Sequence, residues 1–175
     1  KSVVIFGAGG HAAVLLEILK LCDRRIIGYV DPIAKDNQSF QKIPHISYEE
    51  FLKDFTPDNV DIVNGVGFMP GKLSRDNLAN ELRKKGYEFL SVTHPSAIIA
   101  RNIEIGKGAQ IMASSVLQPN VKIGSDTIIN TSCTIDHDSV IGKQCHIAPG
   151  VVISGGVNIA DSCFIGAGSV IINDI

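Results

Sequence analysis

The sequence predicts a small α/β unit followed by an all-β prism of stacked hexapeptide coils, and three observations carry that expectation. From Ile99 to Ile171 every sixth residue is a branched aliphatic, thirteen times in succession. With about half of all residues apolar, such a run arises by chance only about once in ten thousand placements. Upstream of it, short apolar runs alternate with amphipathic stretches. The first of those runs leads directly into a glycine-rich turn.

The first 95 residues read as alternating strands and helices. A strand, Ser2 to Phe6, enters GAGGHA (Gly7 to Ala12), followed by an amphipathic helix from about Ala12 to Cys22 and a second strand, Arg25 to Val30, ending at Asp31. A third strand (Val60 to Val66), a helix from about Leu73 to Lys85 and a fourth strand (Phe89 to His94) complete the unit. This alternation implies a parallel sheet with ligands at the carboxyl ends of its strands.

Gly7, Gly9 and Ala12 fit G-x-G-x-x-[GA], with Asp31 about twenty residues beyond, the spacing of a dinucleotide fingerprint. Glycine permits the tight turn, and exposed amides at a helix start attract phosphate oxygens. The unit has about half the strands of a full dinucleotide fold, so a mononucleotide or nucleotide sugar fits better than NAD. A tight turn without a ligand is the third reading.

Residues 96–175 form the second part. In blocks of eighteen they read NIEIGKGAQIMASSVLQP, NVKIGSDTIINTSCTIDH, DSVIGKQCHIAPGVVISG and GVNIADSCFIGAGSVIIN, from Asn102 to Asn173. Three hexads close a triangular coil whose edges stack on the next coil as parallel strands. The aliphatic points inward once per edge. Two residues before it sits a small residue, as in the column Ala109, Thr127, Cys145 and Cys163.

The IG-x-x-x hexads resemble the signature of the left-handed parallel β-helix acyltransferases, and the left-handedness follows from that resemblance alone. GAGGH, HPSAIIA (His94 to Ala100), NTSCTIDHDSVIG (Asn130 to Gly142) and HIAPG (His146 to Gly150) extend the likeness to the whole chain. It resembles the bacterial sugar acetyltransferases that join a short Rossmann-like domain to such a helix. These include the N-acetyltransferases of UDP-4-amino sugars in bacillosamine synthesis and the sialic-acid O-acetyltransferases.

The resemblance implies acetyl-CoA as co-substrate, with His137 as general base and Asp138 as its helper. An amine or hydroxyl must lose a proton as it attacks the thioester, and imidazole takes that proton near neutral pH. Asp136 is the rival orienting carboxylate. His137 also breaks the repeat, because the equivalent positions in neighbouring coils hold Pro119, Gly155 and Asn173. By the same mapping His146, Gly155 and Ala167 contact acetyl-CoA, and Gly9, Gly10, His11 and Asp31 hold the sugar nucleotide. Cofactor grooves in this fold lie between adjacent prisms, which implies a homotrimer with composite sites.

Two positions depart from the UDP-amino-sugar pattern: Pro32 stands where a second acidic residue is usual, and Gly65-Val66-Gly67-Phe68 lacks the polar residue after G-x-G. Both weaken UDP specificity and leave acetyl transfer untouched. The acceptor is then a nucleotide-activated amino sugar or a sialic-type sugar, with nitrogen and oxygen both open. His45 and His94 read as structural.

Net charge is −2, with no basic run and 6% aromatic residues, which gives no support for nucleic-acid binding. No apolar stretch reaches the length of a membrane span and the chain opens into a strand, so a cytoplasmic location is expected. Three of the four cysteines (Cys133, Cys145 and Cys163) occupy small inward positions and Cys22 lies on the first helix, so neither disulfides nor zinc are expected. With only His137 and His146 in the repeat, the three-histidine zinc site of prism carbonic anhydrases is not matched. A non-catalytic sugar-nucleotide sensor or scaffold is the alternative outside enzymes. Relatives continue into a further coil and a capping tail, so the repeat is expected to run on past Ile175.

Overall fold

The computed structural model describes residues 1–35 and 38–175. They divide into two compact units, Lys1–Leu90 and Ser91–Ile175.

In the first unit, β1 (Ser2–Phe6) lies at the centre of a parallel sheet. Its run Val3, Val4, Ile5 and Phe6 is fully buried, as befits a parallel strand covered on both faces. β2 (Ile26–Val30) flanks it on one side, and β4 (Val60–Asn64) on the other. β3 (His45–Ile46) extends the sheet beyond β2, giving the order β3-β2-β1-β4.

Helix α1 (Gly10–Leu21) buries Ala12, Leu15, Leu16, Ile18 and Leu19, a spacing that forms one apolar stripe. It starts two residues before the predicted Ala12. Helix α3 (Ser74–Lys84) falls within the predicted Leu73–Lys85. Between β3 and β4 runs a short helix, α2 (Tyr48–Asp54), held at its start by a reciprocal capping box between Ser47 and Glu50.

The sequence reading missed β3 and α2. The Ser47-x-x-Glu50 signature marked α2, whereas a two-residue strand leaves no periodicity to read. The predicted third strand stops at Asn64 rather than Val66, because the Asn64 Oδ1 turns back to accept the Val66 N–H at 3.2 Å. The predicted fourth strand, Phe89–His94, is not one strand. Phe89 forms an isolated parallel bridge with Ile62, and Val92–Thr93 pair instead with Gln110–Ile111 in the coils.

The second unit is a prism of three parallel sheets in which each two-residue strand pairs with the strand eighteen residues on. Thr134–Ile135, for example, lies between Val116–Leu117 and Val152–Ile153. The aliphatic column forms the axial core, with Ile111, Leu117, Ile129, Ile135, Ile141, Ile147 and Ile153 almost fully buried. The small column serves a second purpose. Its hydroxyls and thiols donate to carbonyls of the adjoining coil: Ser115 to Asn130 O, Thr127 to Gly142 O, and Cys145 to Ala160 O.

A third column turns the corners. Every sixth residue from Gly108 to Asp174 has φ between 55° and 74°, and all are Gly, Ser, Asn, Asp or Gln. Small polar residues and glycine tolerate this left-handed region best. Along one edge, glycine is required for a different reason. A Cβ on Gly124 would lie 2.4 Å from the carbonyl carbon of Gly142 in the next coil.

Candidate active site

The corner after Ile135 carries the chemistry-bearing residues of the second unit. Ile135 points into the core, and the chain then turns through Asp136, His137 and Asp138, with Asp138 in the left-handed turn position at φ 60°. Asp136 is occupied by the backbone, its Oδ1 accepting the His137 N–H at 2.8 Å. Asp138 reaches the ring: its Oδ2 lies 2.8 Å from His137 Nδ1. A carboxylate only accepts, so Nδ1 carries the hydrogen and Nε2 of the neutral ring keeps its lone pair. The geometry thus pairs Asp138, not Asp136, with the imidazole.

Two further residues complete the corner. Asn120, one coil away in the same left-handed turn column, donates from Nδ2 to Asp138 Oδ1 at 2.9 Å. Gly155, one coil away on the other side, seats the ring: a Cβ there would fall 2.8, 2.9 and 3.2 Å from Cε1, Nε2 and Nδ1 of His137. The imidazole is held above its ordinary pKa chiefly by the hydrogen bond it donates to Asp138, with the charges of Asp136, Asp138 and Asp174 adding to it. The Asp138 carboxyl is held below its ordinary value by Asn120 first and by His137 second.

His146 lies elsewhere, half-buried on the strand His146–Ile147. Its Nε2 accepts from Asn130 Nδ2 at 3.1 Å, and its ring meets Phe164 edge-on at 5.4 Å. Ala167 stands at the corner after Phe164–Ile165, and the neighbouring Gly168 N–H donates to Pro149 O at 3.0 Å. Within the chain, His137, Asp138 and Gly155 therefore come together, whereas His146 and Ala167 belong to a different sheet and corner.

In the first unit, a cleft of about 530 Å³ opens at the carboxyl ends of β1 and β2, with Gly7, Asp31, His45 and Tyr48 in its wall. Asp31 braces the glycine turn, its Oδ2 accepting the Ala8 N–H at 3.0 Å while Oδ1 pairs with Lys35 at 3.3 Å. Gly9 caps α1 and Gly10 opens it, and a Cβ at either would meet nothing within 4 Å. Neither glycine, nor His11 beside them, lines the cleft. His45 donates from Nε2 to Asp31 O at 2.8 Å. The Tyr48 hydroxyl donates to Glu81, and burial, followed by that carboxylate, pushes its pKa well above the ordinary value.

Arg75, 3% exposed, donates to Asn64 O at 3.0 Å and Val66 O at 2.7 Å and so ties down the loop after β4. Sequence reasoning overlooked Arg75 and Asn120. The six-residue period of turn residues pointed to Asn120, but nothing local pointed to a buried arginine. His94 accepts the Ser96 N–H at Nδ1, 3.0 Å away, a purely local bend contact.

The comparisons with known proteins follow the same division. The PglD N-terminal domain family matches residues 2–90, and the bacterial transferase hexapeptide (six repeats) matches 92–137 and 138–173. The UDP-N-acetylbacillosamine N-acetyltransferase of Bacillus subtilis (strain 168) is 31% identical over 117 residues, covering 65% of this chain and 52% of that protein. The chain thus spans about half the length of that curated relative.

Among solved structures, the acetyltransferase domain of PglB from Neisseria gonorrhoeae FA1090 in complex with acetyl coenzyme A has a TM-score of 0.86 and 26% identity, covering 97% of this chain and 80% of that one. A histidine-to-asparagine mutant of perosamine N-acetyltransferase from Caulobacter crescentus, in complex with CoA and GDP-perosamine, has a TM-score of 0.81 and 25% identity, covering 100% and 90%. The prism is accordingly a left-handed parallel β-helix of hexapeptide repeats. With its N-terminal unit matched from residue 2 to residue 90 and hexapeptide repeats following, the chain belongs to the PglD N-terminal domain family.

Proposed function

We propose that this protein transfers the acetyl group of acetyl-CoA to the amine of a nucleotide-activated amino sugar, with His137 as general base. The single observation that carries the reading is the His137–Asp138 pair, which leaves Nε2 as a proton acceptor at an exposed corner. The relatives support the acceptor class: one is a UDP-N-acetylbacillosamine N-acetyltransferase, and the other is a perosamine N-acetyltransferase that holds CoA and GDP-perosamine. Nitrogen is therefore favoured over the sialic-type hydroxyl.

The reaction balances without a covalent acetyl-enzyme. The amine attacks the thioester carbonyl carbon and passes a proton to His137 Nε2, while Asp138 stabilises the resulting imidazolium through Nδ1–H. Collapse of the tetrahedral intermediate breaks the carbon–sulfur bond, and the imidazolium returns the proton to the CoA thiolate. Cys133 and Cys145 suit no nucleophilic role, since burial raises both thiols above their ordinary pKa.

Acetyl-CoA would lie along the coil wall, with His146, Gly155 and Ala167 as its expected contacts. Because His146 and His137 occupy different parts of one prism, a homotrimer that brings one protomer's His146 edge beside its neighbour's His137 corner fits the expected set. Gly9, Gly10, His11 and Asp31 remain the proposed contacts for the sugar nucleotide.

The test is thiol release from acetyl-CoA with a panel of UDP- and GDP-linked amino sugars and free sialic acids. His137→Ala is expected to lower turnover by roughly 100- to 10,000-fold. A variant with near-wild-type turnover would remove His137 from the mechanism, and release with sialic acid alone would move the reading to O-acetylation.

A further inference from the structure

We infer that Asn120 is a positioning residue for the base: it fixes the Asp138 carboxylate in the orientation that aims the His137 ring. The inference rests on the reading of His137 as the base.

The side chains of His137 and Asp138 are 61% and 57% accessible, so packing does not lock their rotamers. Hydrogen bonds must do so instead. Asp138 Oδ2 is spent on His137 Nδ1 at 2.8 Å, and Oδ1 receives Asn120 Nδ2 at 2.9 Å. A carboxylate pulled from both sides in fixed directions has little freedom to rotate. The backbone beneath is equally fixed, since the Asp138 N–H donates to Pro119 O and the Gly156 N–H to His137 O.

The turn itself does not require an amide at position 120. Its φ is 64°, and the same column accepts Gly108, Ser114, Asp126 and Gln144 in equivalent turns. What asparagine adds is a short N–H donor at the height of Asp138 Oδ1. An aspartate in its place would present a second carboxylate, which repels the first.

Two substitutions preserve the backbone and remove the donor. Asn120→Gly suits positive φ and deletes the amide, whereas Asn120→Asp keeps the shape and adds a negative charge. Each is measured for kcat and for the KM of acetyl-CoA by thiol release, for the pH dependence of kcat/KM, and for the titration of the His137 ring by NMR. The ring is faced by Asp136, Asp138 and Asp174.

Asn120→Gly is expected to lower kcat about 10-fold with the KM of acetyl-CoA unchanged. Its acid limb should move to lower pH as the ring loses its partner. Asn120→Asp should move the ring titration and the acid limb the other way, because it adds a charge. A merely structural role would shift both variants alike.

Wild-type kcat together with an unshifted His137 titration in both variants would overturn the positioning role. His137→Ala is run in parallel: if it stays active the base reading fails, while the NMR titration still decides whether Asn120 governs the ring.

Discussion

Gly155→Ala isolates the seating of the His137 ring, the proposed base, from the rest of the molecule. The added methyl carbon would stand 2.8 Å from Cε1 and 2.9 Å from Nε2 of His137. Ordinary contact begins near 3.5 Å, so the ring must withdraw by roughly 0.6 Å or more. It is the end of an exposed side chain and can move without disturbing the coil. The backbone at Gly155 lies outside the positive-φ region, so alanine is not strained there. Thermal stability should hold or rise slightly, since removing glycine restricts the unfolded chain by about 0.5 kcal/mol.

Catalysis should not hold. A displacement approaching 1 Å in the reacting geometry costs up to about 100-fold, so a fall in kcat of roughly 10- to 100-fold is expected. The ring would also part from Asp138, whose hydrogen bond is the main cause of its raised pKa. A base must be neutral to act, so with His137 as the proposed base the acid limb of kcat/KM should move down toward an ordinary histidine near 6.5. Thiol-release kinetics across pH and a melting curve make the measurement. Unchanged kcat with an unmoved acid limb would refute the reasoning, and a raised KM for acetyl-CoA alone would leave Gly155 only its proposed contact with the pantetheine arm.

Gly124→Ala should act on folding instead, since its Cβ would strike backbone atoms of the next coil at 2.4 and 2.5 Å, and backbone cannot step aside as a side chain can. A loss of about 3 kcal/mol, the upper end of overpacking, is expected by denaturant unfolding, and a change below 1 kcal/mol would contradict the close stacking. Thiol labelling of the native protein at neutral pH should reach exposed Cys22 quickly and spare Cys133 and Cys145 until unfolding, because both are buried and donate to carbonyls of the adjoining coil. Rapid labelling of either buried thiol would show that the coils open readily.

The coil period was legible because a β-helix repeats its environment by translation. Each inward Ile or Leu meets the same neighbours, and the pattern is written on the chain at a fixed interval. The buried run of β1 was legible for a similar reason, since a parallel strand covered on both faces reads as a continuous apolar stretch. His137 stood out by breaking the repeat, and the family likeness supplied the role proposed for it.

What the sequence alone determined is therefore whatever is local or periodic: the prism, its aliphatic axis, the glycine turn after β1 and the histidine at an irregular corner. The tertiary structure decided what lies eighteen residues apart in sequence and one strand spacing apart in space. Stacking places Asn120 against Asp138 and Gly155 beneath the imidazole. It also assigned Val92–Thr93 to the coils rather than to the N-terminal sheet, because strand pairing depends on which edge is available, and propensity cannot report that. Between the two carboxylates that flank His137, the family likeness favoured Asp138 and the structure shows its contact: residue 138 sits in the left-handed turn and its carboxylate reaches the ring, while Asp136 bonds the backbone.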